Sequence, residues 1–419
     1  MRRTTQASVG LGLAAAITLT GCSTKASDGS GGSGSGDLKT DFGVTDDAIH
    51  VLELEDLSGP FRVATLAYSY GIKLWADEVN AAGGICDRDI VVDLKDMNYK
   101  ADLAVSIYEA EKDNNVAMVS LAGSPMLAAL KTKITTDNML TVPGAWASSV
   151  LDSDAIMMIG QTYDVEMINA LSYVQEQGLI ADGDKIGHIY VDSEFGQGGV
   201  MGSKAYAKNH DMEIVEATIS ATDTDMTATV TKLKADGVKA IALSVPPAAT
   251  GSVAIQNVAQ DLNLPLIGNN PAFAPTLLSD PSVVAGLENF YLAHSTLPLS
   301  SDNPTSQELL EKYQGMTSDP PHIGVTMAYV WGLVWTQVLQ TACDNGDMTR
   351  AGIVEARKQV TDVDVDDLQG KQDLSDPGAP STREGYILKA DASVPGDLVA
   401  VTDLYSSKDA KEYKTPHQK

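Results

Sequence analysis

The chain alternates between short apolar runs and longer stretches in which apolar residues recur at every third or fourth position. The short runs predict buried strands, and the longer stretches predict amphipathic helices that pack on them. The first of these helices places Tyr68, Ile72 and Trp75 on one face. This alternation is typical of a parallel, doubly wound sheet. The predicted strands cover 50–54, 90–94, 116–121, 139–142, 185–191, 213–218, 240–243, 265–267, 289–294, 386–389 and 398–401.

The alternation is interrupted by an irregular segment at 143–164 and then starts again. The predicted fold class is therefore α/β, with two doubly wound parallel-sheet lobes joined by a hinge. Ligands of such sheets bind beyond the carboxyl ends of the strands. If the lobes face each other, the turns at those ends line one cleft. These turns cover 55–62, 95–100, 122–125 and 143–149 in the first unit, and 192–199, 220–225, 244–249 and 268–275 in the second.

The start of the chain has the pattern of an export signal. Arg2 and Arg3 precede a 14-residue apolar run, which is shorter than the roughly 20 residues that a membrane span needs. The run ends in "LTGC", which resembles the lipobox of bacterial lipoproteins. This implies a signal peptide at 1–21, lipidation of Cys22, and a Gly/Ser-rich tether that extends to residue 43. The alternative is an ordinary secretory signal with an incidental cysteine.

Composition narrows the partners and the compartment. The chain has 419 residues and a formal charge of −27, so its surface repels nucleic acid and anionic lipid. Its length predicts two domains. The rest of the sequence contains no apolar run long enough to span a membrane. We therefore expect the folded part of the protein to be held by lipid at the outer face of the cytoplasmic membrane. The remaining cysteines, Cys86 and Cys343, predict a disulfide in an exported protein, with two buried free thiols as the alternative.

The sequence carries no recognisable catalytic or metal-binding motif. Its six histidines are scattered, without the HxxH or HExxH spacing of a metal site. The phosphate-binding loop, the GxSxG nucleophile motif and a GxGxxG dinucleotide motif are all missing from the sequence. We therefore predict a binding protein without a cofactor rather than an enzyme.

Several separated segments resemble type I periplasmic binding proteins. They are "LSGPFRVATLAYSYGIKLWADEVNAAGGICDRD" near the start, then "LAGSPMLAAL", "YVDSEFGQG" and "DTDMTATVTKLKADGVKAIAL". The group that they resemble most is the leucine/isoleucine/valine-binding proteins, which feed ABC importers, and the similarity extends over about 44–400. It implies a monomer that closes on a small solute and then presents a surface to the ABC permease in the membrane. The implied parts are 44–155 plus about 296–347 for lobe 1, 156–295 plus about 348–404 for lobe 2, and a C-terminal tail at 405–419.

The resemblance implies ligand-binding residues in the first lobe. The family holds the ligand carboxylate with main-chain N–H groups and a hydroxyl in two turns, which here are Gly123-Ser124 and Ala145-Trp146-Ala147. Ser124 precedes Pro125 and also fits a helix N-cap, a role compatible with ligand binding. Trp146 stands where a small hydroxyl residue is usual, so it either walls the cleft or packs inside the lobe. A Ser-Gly-Pro turn at 58–60 contributes Ser58 as a further candidate.

The second lobe normally provides an aromatic lid and an acidic residue for the ammonium group. Phe195 occupies the lid position, with an ordinary core residue as the alternative. Tyr163 either reaches the cleft or fills the hinge. In this chain Asn269 and Asn270 stand where the family has the acid that binds the ammonium group. Either Asp164 or Glu194 takes over the role of that acid, or the ligand has no ammonium group. The alternative for both acids is an ordinary solvated carboxylate.

Together these observations predict the extracytoplasmic solute-binding component of an ABC importer. The predicted ligand is a branched-chain or other apolar amino acid, or a related small carboxylate. Two alternatives stay open at this point. One is a ligand-sensing lipoprotein that reports to a membrane receptor, and the other is a binder of an uncharged amide or an aromatic solute.

Overall fold

The computed structural model describes residues 38–419. The predicted signal peptide, the lipidation of Cys22 and nearly all of the tether therefore lie outside the described residues. No helix in 38–419 combines the length and apolar character needed to cross a membrane.

Strands and helices alternate along most of the described chain, as the hydrophobic pattern predicts. The helices are α1 Arg62–Ala81, α2 Ala101–Glu111, α3 Ser124–Thr136, α4 Tyr163–Glu176, α5 Glu194–Asn209, α6 Thr227–Asp236, α7 Pro247–Ala259, α8 Pro281–Gly286, α9 Pro304–Met316, α10 Gly324–Asp344, α11 Arg350–Arg357 and α12 Lys408–Glu412. The strands are β1 Lys39–Thr40, β2 Ala48–Glu55, β3 Asp89–Asp96, β4 Ala117–Ala122, β5 Thr141–Gly144, β6 Lys185–Val191, β7 Glu213–Ile219, β8 Ala240–Ser244, β9 Leu266–Asn269, β10 Phe290–His294, β11 Asp347–Met348, β12 Tyr386–Ala390 and β13 Leu398–Ala400.

Two main sheets carry the fold. The first is parallel and has the order β3-β2-β4-β5. The second has the order β13-β12-β10-β9-β8-β6-β7, in which β6 to β10 are parallel and the edge strands β12 and β13 are antiparallel. Each predicted strand has its counterpart in one of these sheets, so the predicted α/β class is confirmed. The short pair formed by β1 and β11 was not predicted, because two residues carry no periodicity.

Helices α1 and α10 pack side by side against the first sheet. Trp75 and Trp331 are fully buried at this contact, and a Cβ on Gly332 would collide with the ring of Trp75. Both helices end far from the strand carboxyl ends, and there Cys86 and Cys343 form a disulfide. The disulfide predicted for an exported protein is therefore confirmed in the structure.

Two C-terminal features have no counterpart among the predicted elements. Helix α9 begins with Asn303, whose side chain accepts a hydrogen bond from the N–H of Ser306, and Pro304 follows at the first turn. The tail at 405–419 is packed on the body, because α12 contacts α4 and the hydroxyl of Tyr413 donates to Asp164 at 2.9 Å. The limits of the two lobes stay a prediction.

Two carboxyl groups are buried inside the first sheet. Glu53 and Glu55 lie two residues apart on β2, so they share one face of the strand. Both are fully buried, and each has one carboxyl oxygen without a hydrogen-bond partner among the described residues. Burial raises the pKa of both, that of Glu53 to about 7. The folded protein therefore favours their protonated forms.

Because these carboxyl groups are buried, we expect the free energy of unfolding to decrease as the pH rises through neutrality. Because the pKa of Glu53 is higher in the folded than in the unfolded state, the folded state binds more protons between about pH 4.5 and 7. Glu53→Gln stays neutral at every pH, so we expect it to be more stable than the parent at pH 8 by about 3 kcal/mol. At pH 4.5 the two should differ little. Urea unfolding at both pH values measures this, with the exposed Glu288→Gln as the control.

The buried residues His188, His294 and His322 have lowered pKa values, so their titration makes the protein more stable as the pH rises. This contribution is the same in the parent and in Glu53→Gln. Equal stability of Glu53→Gln and the parent at pH 8 would show that Glu53 is held as a carboxylate in the folded state.

Candidate functional site

Two adjoining cavities lie at the carboxyl ends of the strands. All eight turns selected from the sequence contribute to their walls, so the predicted position of the cleft is confirmed. The smaller cavity has a volume of about 50 Å³ and the larger about 430 Å³. They share the lining residues Phe61, Ala64, Tyr68, Tyr99 and Pro271, which makes them neighbouring parts of one site.

The smaller cavity is rich in hydroxyl groups that are free to donate. Ser124, Tyr68, Tyr99 and Tyr163 line it, and none of their hydroxyls donates a hydrogen bond to another group in 38–419. Burial raises the pKa of all three phenols, that of Tyr99 to about 12. The phenols are therefore protonated at neutral pH and available as donors to a ligand.

The beginning of α3 adds backbone donors to the same cavity. Gly123 has φ +89°, and a Cβ there would collide with Met126 and lie 2.6 Å from Cε2 of Tyr99. The helix N-cap is Gly123 rather than the predicted Ser124, whose side chain makes no capping bond. Since the first N–H groups of a helix have no intrahelical acceptor, they favour an anion at this end.

Aromatic rings close the opposite wall of the smaller cavity. The ring centroid of Tyr163 lies 5.9 Å from that of Trp146 and 4.9 Å from that of Phe195. The indole N–H of Trp146 donates to the carbonyl of Ile159 at 3.3 Å, and its ring also packs 6.0 Å from Trp331. Trp146 thus both walls the cavity and packs inside the protein.

The larger cavity is bounded mostly by apolar side chains. It extends from the first turn of α1, across the turns that follow β7, β8 and β9, to the beginning of α10. Its polar side chains are a minority, among them two histidines at its inner end. The lining not shared with the smaller cavity is Pro60, Val63, Ala221, Thr222, Pro246, Pro247, Ala248, Asn270, Phe273, Ala274, Thr276, Leu292, His294, His322, Ile323, Met327 and Leu398.

Both cavities are lined without any Asp, Glu, Lys or Arg side chain. A buried acid on α4, Glu166, accepts a hydrogen bond at 3.1 Å from the backbone N–H of Asn270, which lines the larger cavity. Burial raises the pKa of Glu166 well above its ordinary value, so the neutral acid is favoured. The site therefore provides neutral donors and apolar surface, with no fixed charge of either sign on its walls.

The structure places half of the twelve predicted ligand-binding residues on the walls of the two cavities. Gly123, Ser124, Trp146, Tyr163 and Phe195 line the smaller cavity, whereas Asn270 lines the larger one. Ala145 and Ala147 are buried on either side of Trp146 and do not line a cavity.

Four further predicted residues do not line either cavity, and the side chains of three of them make hydrogen bonds elsewhere. Ser58 is exposed and donates to Asp96 at 2.6 Å. The carboxylate of Asp164 accepts hydrogen bonds from Ser148 at 2.5 Å and from Tyr413. Asn269 accepts a hydrogen bond from the hydroxyl of Ser244 at 2.9 Å inside the second sheet. Glu194 is the first residue of α5 and does not line either cavity.

Sequence reasoning did not single out the phenols of Tyr68 and Tyr99. Tyr99 lies in a turn that was selected for the cleft, so position alone could have marked it. Tyr68 was assigned to the core face of α1, because periodicity cannot tell a core residue from one that reaches a cavity at the first turns of a helix. Phe61 lies in the selected turn at 55–62 and could have been marked by position like Tyr99, whereas His294 and His322 have no local signal.

Comparison with known proteins agrees with this architecture. The family model described as "Periplasmic binding protein" matches residues 48–394 of the chain. The chain belongs to the periplasmic binding protein family. Proteins of this family bind solutes outside the cytoplasm and are not enzymes. Among the curated proteins, none matches the sequence of this periplasmic binding protein significantly.

Several solved periplasmic binding proteins have a similar structure. A fatty acid ABC transporter substrate-binding protein from Thermomonospora curvata has 35% sequence identity and a TM-score of 0.86, with 90% of this chain and 97% of that one covered. A branched-chain amino acid ABC transporter protein from Thermus thermophilus with bound valine has 16% identity and a TM-score of 0.75, covering 88% and 99%. A leucine-binding protein from Thermotoga maritima has 12% identity and a TM-score of 0.72, covering 86% and 100%. The last two show the shared fold.

Proposed function

We propose that the protein is the solute-binding component of an ABC importer and that its ligand is a fatty acid or a similar carboxylate with a long apolar chain. One observation carries this proposal. A small pocket of neutral hydrogen-bond donors adjoins a larger cavity bounded mainly by apolar side chains.

The donor pocket suits a carboxylate. Up to four hydroxyls and the N-terminal N–H groups of α3 face one small volume, and each can donate to a carboxylate oxygen. No acidic side chain lines the pocket, so an anion bound there would not contact a carboxylate directly. Because no basic side chain lines it, the carboxylate would be held by dipoles alone, as in the first-lobe turns that the sequence predicts.

The larger cavity suits the hydrocarbon chain. Its volume of about 430 Å³ falls in the range of about 300–1,000 Å³ that is usual for small-molecule sites. Transfer of apolar surface from water into such a cavity is favourable, by about 25 cal/mol for each Å² buried. The similarity to the fatty acid transporter protein at 35% identity supports the same ligand class.

A branched-chain amino acid fits this site less well. Its ammonium group is best bound by a carboxylate, and neither cavity is lined by one. Burial raises the pKa of Glu166 and favours its neutral form. The proteins that bind valine or leucine share at most 16% identity with this chain among those described above. The sequence left open the hypothesis that the ligand has no ammonium group, and the residues of the site favour that hypothesis.

The remaining sequence predictions complete the proposal. The mature protein begins at Cys22, is anchored by lipid at the outer face of the cytoplasmic membrane, and acts as a monomer. The two lobes close on the ligand and present a surface to the permease.

A thermal-shift and calorimetry experiment tests the ligand class. The full chain carrying Cys22→Ala, so that no attached acyl group competes, is freed of ligand and titrated with dodecanoic acid and with leucine. We expect dodecanoic acid to stabilise the protein, by about 2.7 kcal/mol at a hundredfold excess over the dissociation constant, and leucine to have no effect. Binding of leucine without any binding of fatty acids of different chain length would overturn the proposal.

A further inference from the structure

The larger cavity contains two histidines that its apolar character does not explain. His294 is the last residue of β10 in the second sheet, and His322 lies just before α10, which packs on the first sheet. Segments from both sheets therefore bring the two histidines to one cavity. Both are buried, with 1% and 8% of their surface exposed. No function follows for either from the sequence, where they are 28 residues apart.

The backbone determines which ring nitrogen carries the proton. Nδ1 of His294 accepts the N–H of Thr296 at 3.0 Å, and Nδ1 of His322 accepts the N–H of Gly324 at 3.0 Å. A neutral imidazole that accepts at Nδ1 carries its hydrogen on Nε2. Burial lowers the pKa of His294 to about 3 and that of His322 to about 4, so both rings are neutral at physiological pH. Each histidine is therefore a donor at Nε2.

Neither Nε2–H has an acceptor in the described part of the protein. That of His294 is fully buried and unpartnered, and that of His322 makes no hydrogen bond. Buried donors are nearly always paired, since leaving one unpaired is costly. Against a plain hydrocarbon chain both donors would stay unpaired.

The imidazole of His322 lies next to the donor pocket. A Cβ on Gly324 would be 2.8 Å from Cε1 of Tyr68 and 3.0 Å from Nδ1 of His322. A ligand whose carboxylate occupies the donor pocket would therefore pass His322 as its chain enters the larger cavity, which His294 also lines.

We propose that His294 and His322 form a second polar subsite, which accepts an oxygen atom carried by the ligand's chain. The chemical class is an oxygenated fatty acid, with a hydroxy or oxo group that accepts hydrogen bonds from Nε2 of the histidines. This inference rests on the proposed function, because the chain that carries the oxygen is that of the fatty acid. It goes further in that it makes oxygenation a determinant of specificity.

The test compares dodecanoic acid with a series of monohydroxy and oxo dodecanoic acids that differ in the position of the oxygen. Affinities are measured by calorimetry with the full chain carrying Cys22→Ala. We expect at least one oxygenated acid to bind about tenfold more tightly than dodecanoic acid, a gain that corresponds to one or two paired donors. In His322→Phe and His294→Phe the ratio of the two affinities should fall to about one.

The ratio is measured within one protein, so a general loss of stability does not move it. Met327→Leu, on the same cavity wall as His322, is the matched control and should keep the parent ratio. If His294→Phe does not fold, His322→Phe carries the test. The subsite proposal is overturned if no oxygenated acid binds more tightly than dodecanoic acid, or if the ratio survives in the histidine variants. If no fatty acid of any tested chain length binds, with or without an added oxygen, the proposed function fails, and the subsite fails with it.

Discussion

Ser124→Ala and Tyr163→Phe should each weaken the binding of dodecanoic acid about 10- to 100-fold. Each substitution removes one hydroxyl donor from the smaller cavity and leaves the surrounding packing nearly unchanged. A hydrogen bond to a charged group contributes about 1.5–3 kcal/mol, which corresponds to this loss of affinity. Because neither hydroxyl donates within the described protein, the substitutions should lower its stability little. Calorimetric titration of both variants and the parent measures the effect.

Two comparisons separate a contact with the carboxylate from an indirect effect. Tyr70→Phe removes a phenol hydroxyl from the same helix as Tyr68, but this hydroxyl contacts Asp319 at 3.4 Å and does not line the cavity. It should keep the parent affinity. Methyl dodecanoate lacks the charge, so the loss caused by Ser124→Ala should shrink with this ligand. Parent-like affinity of both Ser124→Ala and Tyr163→Phe for dodecanoic acid would remove the donor pocket from the binding site.

Replacing Cys86 and Cys343 with serine should lower the free energy of unfolding by about 3–5 kcal/mol. The disulfide joins residues separated by 257 positions, so it restricts the unfolded chain strongly. It also ties together the carboxyl ends of α1 and α10, whereas the cavities lie at the opposite ends of these helices. Helices of 20 and 21 residues are about 30 Å long, and we therefore expect ligand affinity to stay unchanged.

Urea unfolding with and without dithiothreitol checks this prediction. The reductant should destabilise the parent to the level of the double serine variant and have no effect on that variant. A parent whose stability does not respond to complete reduction would contradict the expected contribution of the disulfide, and a large change in fatty acid affinity would show that the helix ends communicate with the site.

Most of the fold could be predicted, because the hydrophobic pattern of each element is local. The run at 185–191 is apolar on both faces, which is the pattern of a central parallel strand, and it forms β6 between β7 and β8. The turns at the strand ends were found by the same reasoning, since ligands of such sheets bind there. Elements without a local pattern were missed. Helix α9 was not predicted either, although Asn303 and Pro304 are good N-terminal signals.

The candidate site was predicted only in part, for a related reason. Gly123 and Ser124 were recognised because the turn and the helix start leave a local signature. Asp164 and Glu194 were chosen as acids near the expected position. The direction of a side chain depends on its partners, however, and Asp164 turns toward Ser148 and Tyr413. Tyr413 lies 249 residues away in the chain, so no sequence pattern connects the two.

By itself, the sequence determined the α/β class, the positions of nearly all strands along the chain and the position of the cleft, because backbone geometry ties periodicity to strands and helices. The tertiary structure alone decided the chemistry of the site. It brought the hydroxyls of Tyr68, Tyr99 and Tyr163 from three separate segments to one pocket, and it left the neighbouring cavity without charge. The reason is physical: whether a polar side chain is paired or free is settled by packing between distant segments, which leaves no periodic trace in the chain.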